Sequence, residues 1–117
     1  MTIVHREMAE GRWYTLTLAE QMGNIGSDVH RAIVWRERGE KDNFQRAFER
    51  ALELFDLTLD DPRWNAARKR EIGRAREVFC DALWGENEYH TDLASLDRYF
   101  LQYGIAARAN VQGTCVA

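Results

Sequence analysis

The densest set of potential metal ligands in this 117-residue chain is Glu86, Glu88, His90 and Asp92. Carboxylates and an imidazole together suit a divalent metal. The stretch "GENEYHTD" reads as a loop with no second histidine, so a solvated acidic loop is expected there. A carboxylate-bridged di-iron site in a helical bundle needs Glu-x-x-His on two helices. The residues three before His5, His30 and His90 are Thr2, Ser27 and Asn87, so the chain lacks that motif. Cys80 flanks an apolar stripe with no linked base and reads as an inert core thiol. With Cys115 as the other cysteine, no disulfide framework is expected. These residues point to no catalytic set, no cofactor and no metal.

Charge is laid out unevenly. Arg63, Arg68, Lys69, Arg70, Arg74 and Arg76 stand against Glu71 alone, whereas Glu77 to Asp97 holds six acids and no Lys or Arg. A solvated helix face is one explanation. Two sharper ones are that the basic end of one subunit meets the acidic end of the next, or that the basic run touches a nucleic-acid backbone. The net charge of −3 gives no general attraction to nucleic acid or acidic membranes, and no stretch nears 18 apolar residues. The N-terminus shows no signal-peptide pattern, so a cytoplasmic protein is expected.

These side chains must be carried by helices. Hydrophobic residues make up 45% and charged residues 30%, with a single proline, which suits one soluble helical domain. Periodicity predicts helices over about 18–38, 43–59, 62–84 and 92–109, with a loose tail over 111–117. Thr17 and Glu20 have capping-box spacing, and Gly39 suits the position after a helix end. Asp42 or Asn43 is the expected cap of the second helix, and Asp61 followed by Pro62 of the third. The expected buried stripes are Leu18/Met22/Ile25/Val29/Ala32, Phe44/Ala47/Phe48/Ala51/Phe55/Leu59, Ile72/Ala75/Phe79/Ala82/Leu83 and Leu93/Leu96/Phe100/Tyr103/Ala107. Short loops then give an all-α, antiparallel up-down-up-down four-helix bundle. Trp13 and Trp64 fall at one end of it and Trp35 and Trp84 at the other, each with its indole N–H expected near solvent.

Two glycines stand inside the first helix, although each costs a helix interior about 1 kcal/mol relative to Ala. Ala19, Gly23, Gly26 and His30 form a strip beside the Met22/Ile25/Val29 seam. Small residues at that spacing let a neighbouring backbone come close, either within the bundle or from another subunit. A phosphate cradle is not expected, since "GNIG" is short and no Lys follows. Leu57 is placed on the outer face of the second helix, as a contact for another subunit.

Glu37, Glu40, Glu53 and Asp56 fit E-x-x-E, a spacer, then E-x-x-D. This resembles the pattern of all-α nucleoside triphosphate pyrophosphohydrolases, which implies Mg²⁺ held between two adjacent helices. Glu37 and Glu40 straddle Gly39 at a helix end, and Glu53 is placed on the outer face beside Arg50. Carboxylates that share a metal should converge on a cleft, so this reading ranks third.

A longer resemblance runs over about residues 11–110. "GRWYTLTLAEQMGNIGSDVHRAI", "NFQRAFERALELFDLTLDD", "REVFCDALWGENEY" and "LQYGIAARAN" resemble a group of bacterial conserved hypothetical cytosolic four-helix-bundle proteins. That group is similar in fold to the proteins encoded in 23S ribosomal RNA intervening sequences and to the accessory variability protein of diversity-generating retroelements. The resemblance implies a four-helix bundle assembled into a five-membered ring. It implies a non-enzymatic binding or scaffold module whose first partner is itself. An RNA- or reverse-transcriptase-associated accessory role ranks second, because the retroelement protein is strongly basic and this chain is net acidic.

Overall fold

Thr17 holds the chain extended and starts the first helix. Its side chain accepts from the Glu20 N–H at 3.1 Å, and the Glu20 carboxylate accepts from the Thr17 N–H at 2.9 Å. This is the expected capping box. The computed structural model describes residues 11–113, with side chains to residue 109. His5, Cys115 and the last residues of the expected tail lie outside the described residues. A 3₁₀ turn, Trp13–Thr15, precedes four helices: α1 (Leu18–Glu37), α2 (Lys41–Leu59), α3 (Ala66–Leu83) and α4 (Leu93–Gly113). Helix α4 therefore continues to Gly113, into the stretch expected to be loose.

The α1–α2 turn is tighter than the sequence suggested. Gly39 takes a φ of +74°, where a side chain would be strained, and the Glu40 N–H reaches back to the Trp35 carbonyl at 3.0 Å. The Gly39 N–H reaches the Arg36 carbonyl at 3.2 Å, completing a Schellman closure. The chain re-enters helix at once, so α2 starts at Lys41 with no side-chain cap, rather than after Asp42 or Asn43.

The cap of α3 is also corrected. Asp61 does not cap it. Asn65 does, accepting from the Arg68 N–H at 2.9 Å, and the helix begins at Ala66. Asp61 is fully buried and its oxygens are already occupied, by Gln21 from α1 and by Arg63. Gln21 from α1 and the neighbouring Arg63 thus occupy the oxygens of the expected cap.

The core follows the expected stripes closely. Met22, Ile25, Val29 and Ala32 are buried on α1, and Ile72, Ala75, Phe79, Ala82 and Leu83 on α3. Leu96 and Phe100 are buried on α4, and Ala47, Phe48, Ala51 and Phe55 on α2. Phe48 and Phe55 lie against Phe79, with ring centroids 4.8 and 5.8 Å apart. Helix α1 is central and packs most closely on α2 and α4, while α3 lies more loosely on α2. Contacts run in opposite order along neighbours: Gly23 with Gly104, Gly26 with Phe100 and His30 with Asp97. Phe44 with Trp84, Phe48 with Phe79 and Asp56 with Arg76 do the same between α2 and α3.

One end of the bundle is closed by a polar network. Gln21 is fully buried, and its Nε2 donates to the Trp13 carbonyl and to Asp61 Oδ2, both at 2.9 Å. Its Oε1 accepts from the Trp64 indole at 2.9 Å. Trp13 is also fully buried, and its indole donates to Thr58 Oγ1 at 3.1 Å. The expectation of an indole N–H near solvent fails for Trp13, because a buried hydroxyl on α2 satisfies it.

Candidate functional site

The glycine strip faces α4 of the same chain. A Cβ added at Gly26 would stand 2.6 Å from Phe100 Cβ, and one added at Gly23 would stand 3.2 Å from Gly104 Cα. The two backbones approach so closely that no side chain fits at Gly26 without displacement. Further along, His30 Nδ1 meets Asp97 Oδ2 at 2.9 Å. Between α1 and α4 runs an open groove of about 610 Å³, floored by Gly23, Gly26 and Gly104 and bordered by Arg98, Leu101 and Arg108.

The outer face of α4 adds a feature that the sequence reading missed. Leu101 and Ile105 are 54% and 57% exposed. With Ala94, Arg98 and Arg108 they follow 4-3-4-3 spacing, the same period as the buried seam of α4. The signal was legible, but a helix with two seams reads locally like one with a broad apolar face.

Leu57 lies elsewhere. It is half-buried and packs against the core rather than standing on an outer face. At 100° per residue it sits only about 60° around the helix from Leu54, and the bundle wraps that far around α2.

The arginines of the basic run are divided among different partners. Arg63 binds Asp61 at 2.7 Å and donates to the Leu16 carbonyl at 2.6 Å, so it ties the α2–α3 loop to the start of α1. Arg76 reaches α2 and pairs with Asp56 at 3.1 Å. Arg74 lies over the Tyr89 ring, 5.4 Å from its centroid. Arg68, Lys69 and Arg70 make no ion pair among the described residues. Burial pushes the Asp61 carboxyl up, but hydrogen bonds from Arg63 and Gln21 and the Arg63 charge outweigh it and hold Asp61 below the usual carboxylate value.

The four acids of the E-x-x-E and E-x-x-D pattern are dispersed. Glu37 and Glu40 are exposed, and Asp56 is engaged by Arg76. Glu53 is buried rather than on the outer face, and its Oε2 has no hydrogen-bond partner among the described residues. No three His, Cys, Asp or Glu residues come together as metal ligands among the described residues, in this set or in the 86–92 loop.

That loop is firmly built. The Asp81 carboxylate accepts from the Glu88 N–H at 2.7 Å and from the Tyr89 N–H at 3.0 Å. Asn87 and Thr91 bond each other twice, and Asn87 and His90 both take positive φ. Trp84 at its base is 61% exposed, with one face stacked on Phe44 at 5.7 Å, and Tyr89 is 50% exposed. Cys80 nearby is half-buried, and burial, with the charge of Asp56, raises its thiol against the opposing pull of Arg76.

Helices α3 and α4 are not closely packed, and a groove of about 540 Å³ separates them. Tyr103 spans it, donating to Glu71 Oε1 at 2.6 Å, and Tyr99 lies 3.3 Å from the Tyr103 hydroxyl. Burial first, then the bonds to Glu71 and Tyr99, holds the Tyr103 phenol far above its usual range, so it stays a donor. No helix of the described residues is long and apolar enough to cross a membrane. Comparison with known protein families, with curated proteins and with solved structures found no match.

Proposed function

We propose that this chain is a non-enzymatic cytoplasmic module that assembles with copies of itself into a closed ring and serves as a binding or scaffold protein. Five members is the number suggested by the proteins its sequence resembles. The observation that carries this reading is the α4 outer face, where Leu101 and Ile105 stand more than half exposed at seam spacing between two arginines. Full burial of such a side chain contributes about 1.5–3 kcal/mol, so finishing the burial of both contributes roughly 2–3 kcal/mol per contact. Charge at the edges then governs register and association rate.

Sedimentation of the purified protein at micromolar concentration tests the reading. A single oligomeric species is expected, weakened by Leu101→Ser with Ile105→Ser. A wild type that sediments as a monomer refutes it.

Nucleic-acid contact is the second reading, favoured by Arg68, Lys69 and Arg70, which lack ion partners among the described residues. Three phosphate contacts would give a log–log salt slope of about −3 on duplex DNA. Fluorescence anisotropy with labelled RNA and DNA at two salt concentrations measures it. Binding that survives the triple change to Ala rules out this run as the contact.

A further inference from the structure

Two exposed surfaces of this chain are opposite in charge, and each carries exposed apolar side chains. The first is the α1–α4 groove with its bordering seam. Arg98 and Arg108 have no carboxylate partner among the described residues, and their neighbours Arg31 and Asp97 pair with Asp28 and His30. Leu101 and Ile105 stand between them. The second surface is the loop after α3. It presents Trp84 and Tyr89 beside Glu86 and Glu88, with Arg74 of α3 over the Tyr89 ring, and the chain from Glu77 to Asp97 holds no Lys or Arg. Asp81, Asn87 and Thr91 hold the loop in place before anything docks, so little ordering entropy is lost on contact.

We infer that the α4 face and groove of one copy receive the Trp84–Tyr89 loop of the next copy. The aromatic side chains lie on Leu101 and Ile105, and Glu86 and Glu88 face Arg98 and Arg108. This inference rests on the self-assembly proposed above. It names the two surfaces that meet. They are dissimilar patches of one chain, which makes the contact heterologous and lets it repeat into a ring. Pairing of two α4 faces with each other is disfavoured, because an antiparallel arrangement sets Arg98 against Arg108, like charge on like.

Charge exchange tests the assignment. Arg98→Glu with Arg108→Glu makes the seam acidic, and Glu86→Arg with Glu88→Arg makes the loop basic. All four positions are exposed, and circular dichroism checks that the helices remain. In sedimentation velocity at low salt, each pair alone should weaken self-association about tenfold or more, and all four changes in one chain should bring it back to within about threefold of wild type. Raising the salt should narrow the differences, because screening weakens both attraction and repulsion.

Unchanged association in both two-residue variants, or a four-residue variant no better than either, overturns the docking assignment while an oligomeric wild type upholds self-assembly. A monomeric wild type overturns both. Should a charge variant lose helix content, Leu101→Gln with Ile105→Gln serves in its place. It should weaken association at every salt concentration, and unaltered association there also overturns the assignment. Assembly that requires added nucleic acid would overturn direct loop-to-seam contact.

Discussion

Replacing Gly26 with Ala sets a gain against a loss that the structure allows to be weighed. The gain is helix propensity, about 1 kcal/mol for Ala over Gly in a helix interior. The loss is overpacking. The new methyl would stand 2.6 Å from Phe100 Cβ, roughly an ångström inside ordinary contact. Phe100 cannot swing aside, because its Cβ moves only with the α4 backbone, and its ring is fully buried against Phe55 at 5.9 Å. Helices α1 and α4 must therefore part, which places the cost near the upper end of the 1–3 kcal/mol range for overpacked cores, about 3 kcal/mol. The net is a destabilisation of about 2 kcal/mol, or a fall in Tm of about 8 °C for a domain of this size.

Gly73 on α3 provides the control. A Cβ there meets nothing within 4 Å, so Gly73→Ala should gain up to about 1 kcal/mol. Gly23→Ala lies between them. Its Cβ would come to 3.2 Å from Gly104 Cα, and propensity and crowding should nearly cancel. Urea and thermal melts followed by circular dichroism give the order Gly73→Ala, wild type with Gly23→Ala, then Gly26→Ala. A Gly26→Ala protein that melts at or above the wild-type temperature would refute the close-packing argument.

Thr17→Ala removes one half of the capping box and should cost about 1 kcal/mol, read as a lower urea midpoint with an unchanged slope. Asp61→Asn leaves the Arg63 guanidinium without its anion and should cost about 2–4 kcal/mol at neutral pH, less than a fully buried pair because Arg63 reaches solvent. The Asp61 carboxyl is held below its usual value, so its contribution is complete above the unfolded carboxylate pKa, about 3.9, and is lost as pH falls through the lower folded value. Wild type should therefore lose more stability than Asp61→Asn between pH 7 and strong acid, and equal losses in paired urea melts would contradict the assignment. Trp13→Phe keeps most of the buried ring but drops the donor to Thr58, whose hydroxyl still donates to the Leu54 carbonyl at 2.7 Å; a cost of about 1–2 kcal/mol is expected in the same melts.

Local chemistry sufficed for much of this fold. The 3.6-residue period placed four helices, because an apolar stripe must be buried wherever its partner lies. The Thr17–Glu20 box and the Gly39 closure are fixed by residues within a turn of each other, so both were legible. So was the need for a close neighbour at Gly23 and Gly26. The identity of that neighbour was not legible, because Phe100 and Gly104 lie more than seventy residues away and the strip fits a helix of either the same or another chain. Asp61 shows the same boundary: its sequence context spells a cap, yet Gln21, forty residues earlier, claims its carboxylate. Glu53 and Leu57 were assigned to an outer face by period alone, and the tertiary structure buried one and half-buried the other, because neighbouring helices decide how far around α2 the core extends. The exposed seam at Leu101 and Ile105 belongs to the same class: periodicity marks a face as apolar, but only the packing of the whole chain shows which apolar face is left uncovered.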